Sequence, residues 1–241
     1  MYGRHETDFV RMCETEDLDL VFTATPWEWH VPVCVSAMEN EKHAATEVPA
    51  AYTTDDCWKL VEYAEKYRKH CVMMENCNYD RPEMMVFHMA RLGLLGDILH
   101  AECGYLHDLR EIKFSDVGEG LWRRAHSMVR DGNLYPTHGL GPVANVMDIN
   151  RGDQFEYLVS MSSPSQGLQE WAKANYPENH LKRTERYVLG DVNTTMIKTV
   201  RGERFISVMT QTFPGRIHGF TWSKGLRGYF RVILTESISK A

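Results

Sequence analysis

The 241 residues suffice for one large domain or two small ones. A formal net charge of −6 lacks the basic clustering that a nucleic-acid surface needs, and no apolar run of about 18 residues is present to cross a membrane. No basic stretch leads an apolar one at the N-terminus, so no signal peptide is read, and the six cysteines include no C-x-x-C pair and fit no zinc spacing.

Asp17 to Thr25 reads as a strand that becomes apolar on both faces, the pattern of a buried parallel strand, and Pro26 ends it. His30 to Met38 reads as a buried helix. Lys42 to Thr46 is the next strand, and Glu47-Val48-Pro49 closes it. Thr53 or Thr54 caps a helix with Asp55 and Asp56 in its first turn. His70 to Met74 is a third strand, followed by Glu75-Asn76. Strand, helix, strand, helix, strand is the grammar of a parallel sheet, whose ligands sit at the C-terminal strand ends. No G-x-G-x-x-G follows an early strand, so the turn that cradles a dinucleotide's phosphates is not read here.

The grammar then changes. Pro82 to Leu95 reads as a helix and Ile98 to Tyr105 as an extended run. Residues 106–145 read as loop-rich, and from residue 155 onward the chain reads mostly as strand. Thr194 to Val200 and Arg204 to Thr210 flank Arg201-Gly202-Glu203 as a hairpin. The expected fold class is α/β plus α+β, a partial parallel sheet followed by an open antiparallel-sheet domain. The expected divisions are residues 1–85, 86–213 and a divergent tail, 214–241.

Several segments can carry chemistry. Trp27-Glu28-Trp29-His30 follows a strand end, where the indoles can stack on a ring and the carboxylate can bond a ribose; a plain helix entry fits as well. Glu47 in isolation reads as a solvated turn carboxylate, and Asn76 as a ribose-binding or turn residue. In Tyr105-Leu106-His107-Asp108-Leu109-Arg110, an extended backbone puts Tyr105 and His107 on one face, where they can transfer protons near neutral pH. In Tyr135-Pro136-Thr137-His138-Gly139, a helix starting after Pro136 places Tyr135 and His138 near its N-terminus. Arg123 lies upstream as a cation for an oxyanion or a hydroxyl. Nothing marks the opposed carboxylate pair of an ordinary glycosidase.

Seven blocks in order resemble glycoside hydrolase family 109, of the Gfo/Idh/MocA oxidoreductase superfamily: Thr25 to His30, Glu47 to Ala50, Glu75-Asn76, Gly104 to Arg110, Leu121 to Arg123, Asn133 to Gly139 and Ile149 to Asp153. The resemblance runs from about residue 10 to about residue 213. It implies a Rossmann domain, lacking its glycine-rich first βαβ segment, joined to an α+β domain. It implies NAD as cofactor, lined by Trp27, Glu28, Trp29, His30, Glu47, Val48 and Asn76. It implies a small glycan or glycoside substrate met by Tyr105, His107, Arg123, Tyr135, Pro136, Thr137 and His138. The implied reaction is release of terminal α-N-acetylgalactosamine by transient oxidation at C3, elimination across C1–C2 and re-reduction, with Tyr105, Tyr135 and His138 moving protons. A sugar or cyclitol dehydrogenase of the same superfamily, or an inactive fragment that holds NAD weakly, are the alternatives. No metal, nucleic-acid or membrane partner is expected, and self-association through the antiparallel sheet is. The compartment is unassigned: the cytoplasm is the default, with an export signal having its place in the family's N-terminal part.

Overall fold

The computed structural model describes residues 4–225 and 228–234, with side chains up to residue 212. The chain divides into two compact units, Met1–Glu75 and Asn76–Ala241. The division falls ahead of the expected 85/86 boundary, because the helix after Asp80 packs on elements of the second unit.

In the first unit, α1 (Asp8–Thr15), β1 (Leu20–Thr23), α2 (Trp27–Glu39), β2 (His43–Thr46), α3 (Thr54–Tyr67) and β3 (Cys71–Met73) alternate as the sequence pattern requires. The strands pair in parallel in the order β1-β2-β3. Thr53 caps α3: its hydroxyl accepts from the Asp56 amide at 3.2 Å and donates to the Asp56 carboxylate at 2.7 Å. Arg68 closes the helix in the left-handed conformation. One sheet face is packed, with Val21 and Ala44 meeting Cys13, Val33, Cys34, Ala37 and Met38 of α1 and α2. The expectation that both faces of the first strand are buried is not met. Leu20 and Phe22 are 52% exposed, and Val72 is also exposed, because the described helices of this unit cover a single face.

In the second unit a short 3-10 turn (Asn76–Tyr79) leads into α4 (Arg81–Arg91) and the long strand β4 (Ile98–Asp108). Residues 106–145, expected to be loop-rich, instead hold α5 (Arg110–Phe114), α6 (Gly120–Val129) and α7 (Thr137–Val146). Gly139, Gly141 and Pro142 in α7 argue against a helix locally, and packing overrides that weak preference. The helices α8 (Gly167–Asn175) and α9 (Leu181–Thr184) interrupt the run expected to be mostly strand. The strands β5 (Phe155–Ser162), β6 (Val192–Thr199), β7 (Arg204–Thr210), β8 (Thr212–Gly225) and β9 (Gly228–Leu234) complete an open sheet of order β5-β6-β7-β4-β8-β9. The sheet is mixed rather than purely antiparallel: β4 and β7 run in parallel, and every other pair is antiparallel. The β6–β7 hairpin turns through Gly202, whose φ of +94° suits glycine. One sheet face packs on α4 and α7 through Ala101, Cys103, Val143, Ile197 and Phe205.

These two sheet surfaces predict different costs. Phe205→Ala empties a fully buried site and should cost about 3–5 kcal/mol. Phe22→Ala, on the uncovered face, should cost about 1 kcal/mol or less. Urea unfolding measures both, and equal losses would contradict the uncovered face.

Candidate active site

At the C-terminal ends of the parallel strands stand Thr25 after β1, Glu47 after β2 and Glu75 after β3. The β2 exit is tied to β1 by the Glu47 amide, which donates to the Thr23 carbonyl at 2.9 Å. The Val48–Pro49 peptide that follows is cis, and Val48 is buried. His30 is 1% exposed, with Nδ1 2.8 Å from the Pro49 carbonyl oxygen and Nε2 2.9 Å from that of Thr25. Its ring thus spans the exits of β1 and β2. Trp27 is buried, Glu28 is exposed, and Trp29 is half-buried, edge-on to Phe9 with centroids 5.9 Å apart. Asn76 is exposed and opens the second unit.

The second unit brings four expected residues into one aromatic cluster. Tyr105 and His107, two residues apart on β4, stack with ring centroids 4.1 Å apart. Tyr135 lies 4.7 Å from Tyr105, and His138 lies 4.9 Å from Tyr135 and 5.7 Å from Tyr105, centroid to centroid. Arg123 joins from α6, its guanidinium carbon 5.4 Å from the Tyr135 ring centre, and its Nη2 pairs with the Glu119 carboxylate at 2.9 Å. Tyr105, His107, Arg123 and Tyr135 are each less than a tenth exposed, and His138 is half-buried. Pro136 is the N-cap of α7, so Thr137 and His138 lie in its first turn.

The supporting residues explain why these groups converge. The Asn133 side chain donates to Ser207 Oγ on β7 at 3.1 Å and accepts from the Tyr135 amide at 3.3 Å, which fixes the approach to α7. Gly139 lets α7 lie against β4: a Cβ there would sit 2.7 Å from the Gly104 amide nitrogen and 3.0 Å from the Cys103 Cβ. Any side chain at residue 139 therefore moves His138 away from Tyr105.

Sequence reading missed one charged residue beside this cluster. Lys113 on α5 is fully buried and donates to Ser127 Oγ at 2.9 Å. Burial, and then the charge of Arg123, push its ammonium down to about 7. A single Lys in a short segment carries no signal of this, because its burial comes from α6 lying across it. The sign follows from the unfolded value of about 10.5. Below pH 7 the folded state bears the whole penalty of a buried charge. Between pH 7 and 10.5 the unfolded chain binds the extra proton, so this residue's contribution to stability rises with pH. Lys113→Met should accordingly be most stabilising, relative to the native sequence, below pH 7, and the difference should shrink as pH rises toward 10.5. Thermal melts across that range measure it; a pH-independent difference would contradict a buried, titrating amine.

Comparison with known proteins agrees with this division. The family described as glycosyl hydrolase 109, C-terminal domain, matches residues 79–236. The oxidoreductase family with an NAD-binding Rossmann fold matches residues 4–75. A glycosyl hydrolase family 109 protein of Shewanella pealeana is 45% identical over 230 residues, covering 95% of this chain and 50% of that protein. The chain thus spans about half the length of the curated relatives it matches. Among solved structures, an NAD-binding oxidoreductase from Klebsiella pneumoniae superposes with a TM-score of 0.75 at 13% identity, covering 94% of this chain and 57% of that one. A scyllo-inositol dehydrogenase from Lactobacillus casei, with bound NAD(H) and scyllo-inositol, gives 0.69 at 14% identity, covering 93% and 60%. At those identities the likeness speaks to fold. The family match through residue 236 takes in most of the segment from Pro214 that reads as divergent in sequence alone; residues 235–241 of that tail lie outside the described residues.

Proposed function

We propose that this chain, which belongs to glycosyl hydrolase family 109, carries the sugar-side machinery of an NAD-dependent glycosidase that releases terminal α-N-acetylgalactosamine. The observation that carries the reading is the convergence of Tyr105, Tyr135, His138 and Arg123 in one cluster of the second unit. Tyrosine and histidine hydroxyl and ring groups can hold and pass protons, and a guanidinium can steady a developing oxyanion.

The residues present fit the strand-end part of a dinucleotide site. Thr25, Glu47 and Glu75 end three parallel strands, where ribose and amide groups meet an open α/β sheet. Trp27, Glu28, Trp29, His30, Val48 and Asn76 belong to the same proposed cofactor set. The sequence has no G-x-G-x-x-G after an early strand, so pyrophosphate contacts are not among those this chain supplies by that route. When bound, NAD supplies reversible oxidation at a sugar carbon.

The chain's own residues then do three things. Tyr135 and His138, with Thr137 and Pro136 shaping the start of α7, orient the C3 hydroxyl and take up its proton. Tyr105, held by its stack on His107, removes the C2 proton, which a carbonyl at C3 makes acidic. Arg123 holds the oxyanion at the C3 oxygen that forms as the C2 proton leaves; the C1 leaving group then departs with a proton, water adds at C1, a proton returns to C2, and re-reduction at C3 completes the released sugar. Bond cleavage by this route needs no opposed carboxylate pair.

The test is turnover of 4-nitrophenyl α-N-acetylgalactosaminide with added NAD. Nitrophenol release should require NAD, with no net accumulation of NADH. Tyr135→Phe and His138→Ala should each slow it by about 10²–10⁴-fold. NADH accumulating in step with sugar consumed would instead identify a dehydrogenase, and release without NAD would refute the cofactor's role.

We also propose that two copies associate through the outer face of the open sheet. Tyr157, Val159, Met161 and Met196 are exposed there, and β5–β6 register places Val159 against Met196. Sedimentation should give a dimer that Val159→Lys converts to monomer; a monomeric native chain would contradict it.

A further inference from the structure

The second unit holds a second cleft, largely apolar with a few polar groups, beyond the Tyr105 cluster. It has a volume of about 220 Å³ and lies among the Asn76–Tyr79 turn, α4 and the C-terminal half of α7. Its lining includes Asn78, Tyr79, Glu83, Phe87, Asn145 and Arg151. Asn145 stands eight residues along α7 from Thr137, a rise of about 12 Å, so the cleft and the catalytic cluster lie at opposite ends of that helix.

Glu83 makes the cleft unusual. It is 3% exposed, and neither carboxylate oxygen bonds another residue. Asn78 Oδ1 is likewise buried without a hydrogen-bond partner. Burial pushes the Glu83 carboxyl up to about 7, with only its own backbone amide opposing that shift. These three buried acceptor atoms belong to residues that line the cleft, and buried acceptors require donors. Arg151, which also lines the cleft, is half-exposed and donates from Nη2 to Asn145 Oδ1 at 2.7 Å, one bond of a five-donor group. Tyr79 is 76% exposed and Phe87 half-buried, so flat apolar surface lies beside the polar atoms.

A metal ion would find oxygens from Glu83 and Asn78 but also the Arg151 guanidinium, which repels it. A hydroxylated ring meets every requirement at once. Its hydroxyls donate to Glu83 and Asn78, accept from Arg151, and its C–H face lies on an aromatic ring. The volume holds about seven waters at ~30 Å³ each, which suits one small ring and not a chain of them.

We infer that the Glu83 cleft is a second, non-catalytic sugar subsite, which takes one hydroxylated ring of a glycan or the free monosaccharide. The sugar class rests on the glycosidase reading above. Glu83 and Asn78 accept from the ring hydroxyls, and Arg151 closes over them.

The experiment is titration of N-acetylgalactosamine into the full chain, followed by amide chemical-shift changes for the native sequence, Glu83→Gln, Arg151→Ala and Tyr135→Phe. The native chain should show two sets of shifting amides, one around α4 and the Asn76–Tyr79 turn and one around Tyr135. Glu83→Gln should weaken the first set tenfold or more and leave the second unchanged. Tyr135→Phe should do the reverse, and Arg151→Ala should weaken the first set several-fold. Glu83→Gln removes an unpaired buried charge, so its melting temperature should not fall, which separates lost binding from lost folding. Loss of the Tyr135 set alone would defeat the catalytic reading and leave this subsite standing. Absence of the Glu83 set, its persistence in Glu83→Gln, or its replacement by shifts on adding calcium or sodium chloride would overturn the subsite.

Discussion

The close approach of α7 to β4 at Gly139 is the constraint on which the candidate active site depends. With no Cβ at that point, the helix settles against the backbone of Gly104. Tyr105 and His107 project from the same strand just beyond it, and Tyr135 and His138 come from the start of the same helix. The four rings therefore meet because two backbones meet. Asn133 then sets the angle at which the chain enters α7 by bonding to β7, the strand beside β4. β4 carries Tyr105 and His107, α7 carries His138, and Tyr135 stands in the short segment just ahead of α7.

The two units hold different sets of the candidate residues. The first presents polar residues at the ends of three parallel strands, and His30 spans two of those exits through two backbone carbonyls. That bracing gives His30 a structural duty beside any contact with a cofactor. The second unit supplies the aromatic cluster, the buried Arg123 and the sheet that supports both. Charged groups in this unit sit where burial works against them. Lys113 and Glu83 are each moved toward neutrality, in opposite directions, because the interior penalises whichever form carries charge.

Much of this was legible in the sequence, for identifiable reasons. The parallel unit announced itself through strands and helices of ordinary length with clear caps, and Thr53 caps α3 as its place before Asp55 and Asp56 suggests. An extended backbone put Tyr105 and His107 on one face, and the structure stacks them there. The helices between residues 110 and 146 were not legible, because their glycines and prolines carry a loop signal that tertiary packing overrides. The exposed face of β1 was hidden for a related reason. Periodicity reports that a face is apolar, and only the fold determines whether anything covers it. Glu83 was invisible because a glutamate in the first turn of a helix ordinarily faces solvent and favours the helix dipole. Its burial arises from the Asn76–Tyr79 turn just ahead of it and from α7, which is distant in sequence.

In the proposed reaction the cluster breaks a glycosidic bond by removing the C2 proton of an oxidised sugar. The most direct measurement is turnover in deuterium oxide with NAD present, followed by magnetic resonance of the released N-acetylgalactosamine. Elimination and re-addition should leave deuterium at C2 of the released sugar, with hydrogen retained at C3. Released sugar that keeps its hydrogen at C2 would contradict elimination and would return the reaction to direct displacement at C1.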